Sequence, residues 1–309
     1  MEARDLVTQV RQQSRRFYDG GRLPQGADGG AAPDPGSDPR IVLERHTEDG
    51  VETFSMERRL AYRDRHLGEI LVPADADFRT DLTSVPALFT WLVPKTGAHL
   101  PAALLHDALV GGKESTSYVS TDGHVIDRVD ADRIFRDAMA DTGTGVIRRW
   151  IVWAAVAVAT IFVGREVPWT SRQRLGYRVS AALTIAVVVV LGAVATVDLF
   201  DVRWAPHLPW MGDRSLLVEL VGGLAGAVVV PLALSLLWGR FRAAGAISGV
   251  MLAVLFHVTL ALGAISVSYL VLERLARRSP ALAWALVAAS VIASIVAVAL
   301  LGLDAQRNE

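Results

Sequence analysis

The chain has 309 residues, of which 52% are hydrophobic and only 20% charged, against about 25% charged in ordinary soluble domains. Its net charge of −1 joins two opposite halves: residues 1–145 hold 24 acids and 17 bases, residues 146–309 hold 8 and 14. Neither half is basic enough for nucleic-acid binding. The absence of cysteine excludes disulfides, thiolate zinc, iron–sulfur clusters and a thiol nucleophile.

In chain order, Met1–Tyr18 is charged throughout and lacks the apolar core of a signal peptide, and its loose apolar face predicts a short helix. Asp19–Arg40 is rich in Gly, Pro and Asp and reads as a disordered linker, making 1–40 one region. Ile41–Leu43, Val51–Tyr62 and Ile70–Val72 predict three or four short antiparallel strands, with Glu48-Asp49-Gly50 as a turn. Asp77–Pro86 is irregular and polar, Leu88–Val93 is apolar, and Pro94-Lys95-Thr96-Gly97 is a turn.

Pro101–Val110 predicts a short helix with proline in its first turn. It is apolar all round, so it is buried. Its two ionisable residues, His106 and Asp107, therefore need partners, because an unpaired buried charge is very costly. Gly111–Asp127 is a polar loop with a hairpin signal at Asp122-Gly123. Arg128–Asp141 predicts an amphipathic helix with Ala131, Ile134, Phe135, Ala138 and Met139 on its apolar face. Arg128 and Asp132 lie four apart and can pair. Asp130, Arg133, Arg136 and Asp137 point away and read as a solvated face.

About 20 apolar residues are needed to cross roughly 30 Å of hydrocarbon. Four runs qualify: Val179–Val197, Leu216–Trp238, Ala243–Leu272 and Ala281–Leu303. Trp150–Gly164 has only 15 residues and suits a helix packed on the soluble domain or lying at the membrane surface. With four spans, nine arginines fall on the N-terminal side and five on the other, which predicts a cytoplasmic domain and cytoplasmic termini. His257 and Glu219 are the ionisable residues inside these runs and do not form a proton relay. Gly222/Gly226 and Gly245/Gly249 have the spacing that lets helices approach closely, within the chain or in a homo-oligomer. The expected architecture is thus a small α+β domain over 41–165, then an all-α transmembrane region with four long spans over 166–309 that acts as an anchor in the lipid bilayer.

Three motifs carry a family likeness. Phe78-Arg79-Thr80-Asp81-Leu82-Thr83-Ser84-Val85-Pro86 resembles the F-x-T-D-L-A-S-V-P signature of domain-of-unknown-function family 1353, found in bacteria and phages. Ala102–Asp107 resembles its A-A-x-L-H-D helix, and Arg128–Phe135 its R-x-x-A-D-x-x-F helix. The resemblance covers about residues 50–164 and leaves the membrane half outside. It implies a closing helix, here Arg148–Gly164. The family usually has an aromatic where this chain has Val110, which removes a tyrosine hydroxyl from any mechanism.

Two chemistries fit these residues. In a hydrolase acting on lipid or cell-wall material, His106 is the general base, Asp132 or Asp81 orients it, and Asp107 stands beside it. Thr80, Ser84 and Arg128 then position substrate. A metal-dependent version uses His106, Asp107 and Asp132 with His99; nothing specifies the cation or another cofactor. In the non-enzymatic alternative, Asp81, His106, Asp107, Arg128 and Asp132 form a buried network that fixes how a loop and two helices meet, and the domain is a membrane-anchored structural or binding module. Both readings require Asp81, His106 and Asp132 to converge.

Overall fold

The computed structural model describes residues 16–23, 30–48, 50–82, 96–111, 116–165, 167–199, 207–211 and 215–307. The strands are β1 (Phe17–Arg22), β2 (Leu43–Glu48), β3 (Val51–Met56), β4 (Arg58–Asp64), β5 (Gly68–Val72) and β6 (Val119–Ser120). The helices are α1 (Leu100–Val110), α2 (Arg128–Asp141), α3 (Val146–Val163), α4 (Ser171–Leu199), α5 (Leu216–Ser235), α6 (Arg242–Val254), α7 (Phe256–Arg278) and α8 (Pro280–Arg307). A mixed strand-and-helix domain is followed by a helical region, as expected.

Four strands form an antiparallel sheet in the order β1-β4-β5-β6, and β2 and β3 form a separate hairpin. The run Val51–Tyr62 is therefore two strands in two sheets, divided at Glu57. The linker expected over Asp19–Arg40 is corrected: Phe17–Arg22 is an edge strand with five of six residues buried. This strand also replaces the C-terminal end of the expected N-terminal helix, the rest of which lies outside the described residues. Its glycines serve close approach rather than freedom. A Cβ on Gly20 would stand 2.8 Å from the Arg59 backbone. Gly21, at φ +85°, would clash with the Ala31 carbonyl at the bulge where the β1–β4 register shifts. Asp19 is ion-paired with Arg58.

Helix α1 packs on α2 and α2 on α3, while Leu60, Ile70 and Val72 of the sheet share their core. Asp127 caps α2 by accepting hydrogen bonds from Val129 N and Asp130 N at 2.8 and 2.9 Å. Arg133 reaches the β4–β5 turn and grips both oxygens of the fully buried Asp64 carboxylate at 3.1 and 3.2 Å. At the other end of α2, Asp141 accepts hydrogen bonds from Tyr62 and Arg65. The solvated face expected for Arg133 is thus corrected: it is the main polar bolt between α2 and the sheet. Arg136 lies over the rings of Trp150 and Trp153 on α3.

Four segments are long and apolar enough to cross a membrane: Val146–Val163, Ser171–Leu199, Leu217–Val254 and Phe256–Arg278. They differ from the four runs read in the sequence. The short run Trp150–Gly164 gains a turn at its N-terminus and becomes the 18-residue α3. The run Ala243–Leu272 is divided at Leu255 into α6 and α7. The described apolar part of α8, Pro280–Ile292, is shorter than a span. Leu217–Val254 has 38 residues, well beyond one bilayer at 1.5 Å per residue, and it folds back on itself. Gly239 leaves helical geometry at φ 56°, ψ −119°, and α5 and α6 then pack together, with Gly249 against Pro231 and Gly245 against Trp238. Trp238 is buried and donates its indole N–H to Thr184 Oγ1 on α4 at 2.8 Å. Gly245 and Gly249 do allow helix approach, but Gly222 and Gly226 instead seat Trp210 of the preceding loop. Leu255–Glu309 forms a second compact unit in which α7 packs on α8.

Candidate functional site

The site is built on α1. The helix starts after His99 with proline in its first turn and ends at Gly111, whose φ of 87° supplies the left-handed cap. Its burial follows from its all-round apolar surface: Leu104 and Leu105 are fully buried, and His106 is 9% exposed. His106 Nε2 donates to Asp132 Oδ1 on α2 at 2.9 Å. The imidazole stacks on Phe135, one turn further along α2, with ring centres 4.6 Å apart. Asp132 is 2% exposed, and its Oδ2 has no hydrogen-bond partner among the described residues.

The loop motif is held by the β2–β3 hairpin. Phe54 and Thr80 exchange backbone hydrogen bonds at 2.8 and 2.9 Å. Thr80 Oγ1 accepts from Leu82 N at 2.8 Å, stabilising Leu82 at a φ of +70°. Phe78 and Leu82 bury their side chains in the main core on either side. Thr80 is thereby presented, almost fully buried, to Asp107 and donates a hydrogen bond to its carboxylate.

Burial pushes the Asp107 carboxyl above the usual carboxylate range; the Thr80 hydrogen bond opposes the shift, the Asp81 carboxylate adds to it, and His106 and Arg128 oppose it. Asp107 Oδ2 is buried and unpartnered among the described residues. Burial also lowers the Arg128 pKa, against the pull of Asp132 and Asp107. Arg128 spends its donors on Thr160 Oγ1 of α3 at 3.3 Å and the Val110 carbonyl at 3.4 Å. The direct Arg128–Asp132 pair expected from spacing is therefore corrected to a longer-range attraction, because the guanidinium reaches outward to α1 and α3.

The structure thus brings Thr80, His106, Asp107, Arg128 and Asp132 together, with Asp81 close enough to act on Asp107. It does not make the expected metal set. Among the described residues no three His, Asp or Glu side chains could hold a cation. Consecutive helical residues diverge by about 100°, so His106 faces Asp132 on α2 while Asp107 faces Thr80. Ser84 and Leu88–Val93 lie outside the described residues. Sequence reasoning missed Phe135 as the stacking partner of His106, although its place three residues after Asp132 puts both on one helix face.

Residues 54–156 match the family described as a protein of unknown function, DUF1353. The chain carries a DUF1353 domain. The match opens inside β3 and closes inside α3, so it contains the whole His106–Asp132 cluster and much of α3. β1 and the helices after α3 lie outside it. No curated protein and no solved structure matches the chain.

Proposed function

We propose that the DUF1353 domain is a membrane-anchored structural or binding module, and that its polar cluster locks α1, α2 and the Phe78–Leu82 loop into one rigid surface. The observation that carries this reading is the burial of His106, 9% exposed with its ring lying on Phe135; its contact with Asp132 suits either reading. A general base must reach a substrate proton, whereas a locking residue needs only partners. Helix α4 and the α5–α6 hairpin supply the anchor. Helix α3 is the joint: it is apolar, but α2 lies along it with seven charged residues in 14, and bilayer hydrocarbon does not accept that many charges. We therefore place α3 at the membrane boundary.

One observation favours a second reading. The Asp107 carboxyl, raised by burial and left with an unpartnered oxygen, has the character of a buried acid. In that reading the cluster is a hydrolytic centre with His106 as base and Asp107 as proton donor. His106→Ala in the full-length protein separates the two. The locking reading expects a loss of about 2–4 kcal/mol, since Asp132 is left buried without a partner, and no change in any ester- or peptidoglycan-hydrolysing activity. Unchanged stability with loss of a measured hydrolysis would sink it in favour of the enzyme.

A further inference from the structure

A second polar site lies at the opposite end of α3 from its N-terminus. Trp169, Ser171, Arg174, Leu175 and Arg178 line a cavity of about 420 Å³, within the range of small-ligand pockets, roughly 300–1,000 Å³. Among the described residues its charge has one sign: two arginines and no carboxylate line it. Arg178 is partly occupied, donating to the Ile161 and Phe162 carbonyls at 3.1 and 2.7 Å and so closing the C-terminus of α3. Arg174 is half-buried, and its side chain makes no hydrogen bond or ion pair among the described residues. Trp169 Nε1 is a buried donor without an acceptor among the described residues. Its ring is fixed edge-on against Tyr177 and Phe241, beside the Gly239 turn. The end of α4 is itself already capped by Thr170 and Gln173, so the unmet demand comes from the side chains.

An unpaired guanidinium lining a cavity that holds a second arginine calls for an anionic oxygen ligand. Position selects the source. Arg178 is the last charge before the apolar run Val179–Val197, so the cavity sits at headgroup depth if α4 crosses the bilayer. Trp and Arg at that depth are the side chains that meet lipid phosphates. We propose that this cavity binds the phosphate of an anionic phospholipid headgroup, with Arg174 as its ligand and Arg178 as a shared cation tying the bound lipid to α3.

The proposal rests on the reading that α4 spans, and the experiment scores that first. Full-length protein and its variants are tested for membrane integration by carbonate extraction. They are then moved into nanodiscs of equal parts phosphatidylcholine and phosphatidylglycerol, and retained lipid is counted by native mass spectrometry. Extraction from the membrane would overturn the spanning reading. Integration with equal retention of both lipids would overturn only the headgroup site. The expected result is preferential retention of phosphatidylglycerol. Arg174→Gln should reduce it roughly fivefold, the scale of one cation at an anionic surface. Arg172→Gln, an exposed arginine outside the cavity, should leave it unchanged; an equal loss there would show general surface attraction and overturn the pocket. Displacement of the lipid by millimolar inorganic phosphate would overturn the lipid as the source.

Discussion

The DUF1353 domain and the helices after it are built on opposite rules. In the domain, apolar side chains are inside and buried carboxylates are partnered: Asp64 has Arg133, Asp19 has Arg58, and Asp132 has the imidazole of His106. In the helices, the apolar side chains are outside, as at Leu183, Val190, Val229 and Val267. The buried share of the most apolar window falls from 28% in Val146–Val163 to 17%, 11% and 6% in the next three segments. Helix α3 sits between the two regimes. One part of it, Val152 and Val156, belongs to the domain core; another, Ala154, Ala157 and Ile161, packs with Ala181, Trp238 and Ala244 of the helical region. Hydropathy ranks α3 with the other candidate membrane spans, but its covering by a charged helix ranks it with the domain. The lesson is that an apolar surface is identified by what lies against it.

The sharpest test of this division is all-or-none. Because the chain has no cysteine, single cysteines at Asp122 on the domain and Ser171 at the start of α4 can be compared for reaction with an impermeant thiol reagent. Both residues are exposed. They should label together from one side of the membrane, whichever side that is. Labelling from opposite sides would mean that α3 crosses the bilayer.

On the domain side, the largest energetic effect belongs to Arg133→Ala. It leaves the fully buried Asp64 carboxylate without its cation, and breaking such a pair costs about 3–5 kcal/mol. The pair also sets an acid limit. Burial alone would raise the Asp64 pKa, but the Arg133 hydrogen bonds and the His66 and Leu67 backbone N–H groups outweigh it and hold the value below 3.8. A lowered folded-state pKa gives stability that is present above the unfolded value and lost as pH falls through the folded one. Unfolding curves from neutral to acid pH should show a loss in the native protein that is much smaller in the variant.

On the membrane side, Gly249→Val tests the fold-back. An added Cβ would lie 2.8 Å from Pro231 Cβ, forcing α5 and α6 apart at a cost of about 1–3 kcal/mol. Thermal unfolding of the detergent-solubilised protein should show the variant destabilised by about that amount. Unchanged stability in the variant would show that the helices are not held by this contact.

These tests also mark what the sequence revealed. The burial of α1 was legible because no face of it is polar, and that placed His106 and Asp107 in need of partners before any partner was visible. The partnership of Arg133 was not, since helical periodicity reports only which residues share a face, and Asp64 arrives from a strand 69 residues away. Strand β1 was hidden because its Gly and Asp content resembles that of a linker, while their use, close approach and pairing with Arg58, is tertiary. The turn at Gly239 was legible, because Gly239-Arg240-Phe241-Arg242 parts two apolar runs, but the break at Leu255 was hidden for the opposite reason: an apolar run gives the same signal whether it continues or is divided.

The smallest effect sharpens the comparison most finely, because it concerns the one carboxyl in the cluster that departs from the domain's pairing rule. Asp107 has Thr80 as a donor but no cation in hydrogen-bond contact among the described residues. Its pKa is raised by burial, so its protonated form favours the folded state. The contribution is fully present below the ordinary carboxylate value and lost as pH rises through the folded-state value. Asp107→Asn keeps the shape, removes the charge and should leave Thr80 with an acceptor. The variant is expected to be at least as stable as the native protein at neutral pH, with the advantage vanishing at acid pH, where the native carboxyl is also neutral. Thermal unfolding of both proteins across this range decides it. A variant markedly less stable at neutral pH would mean that ionised Asp107 is paired after all, and the cluster would then obey the same rule as the rest of the domain.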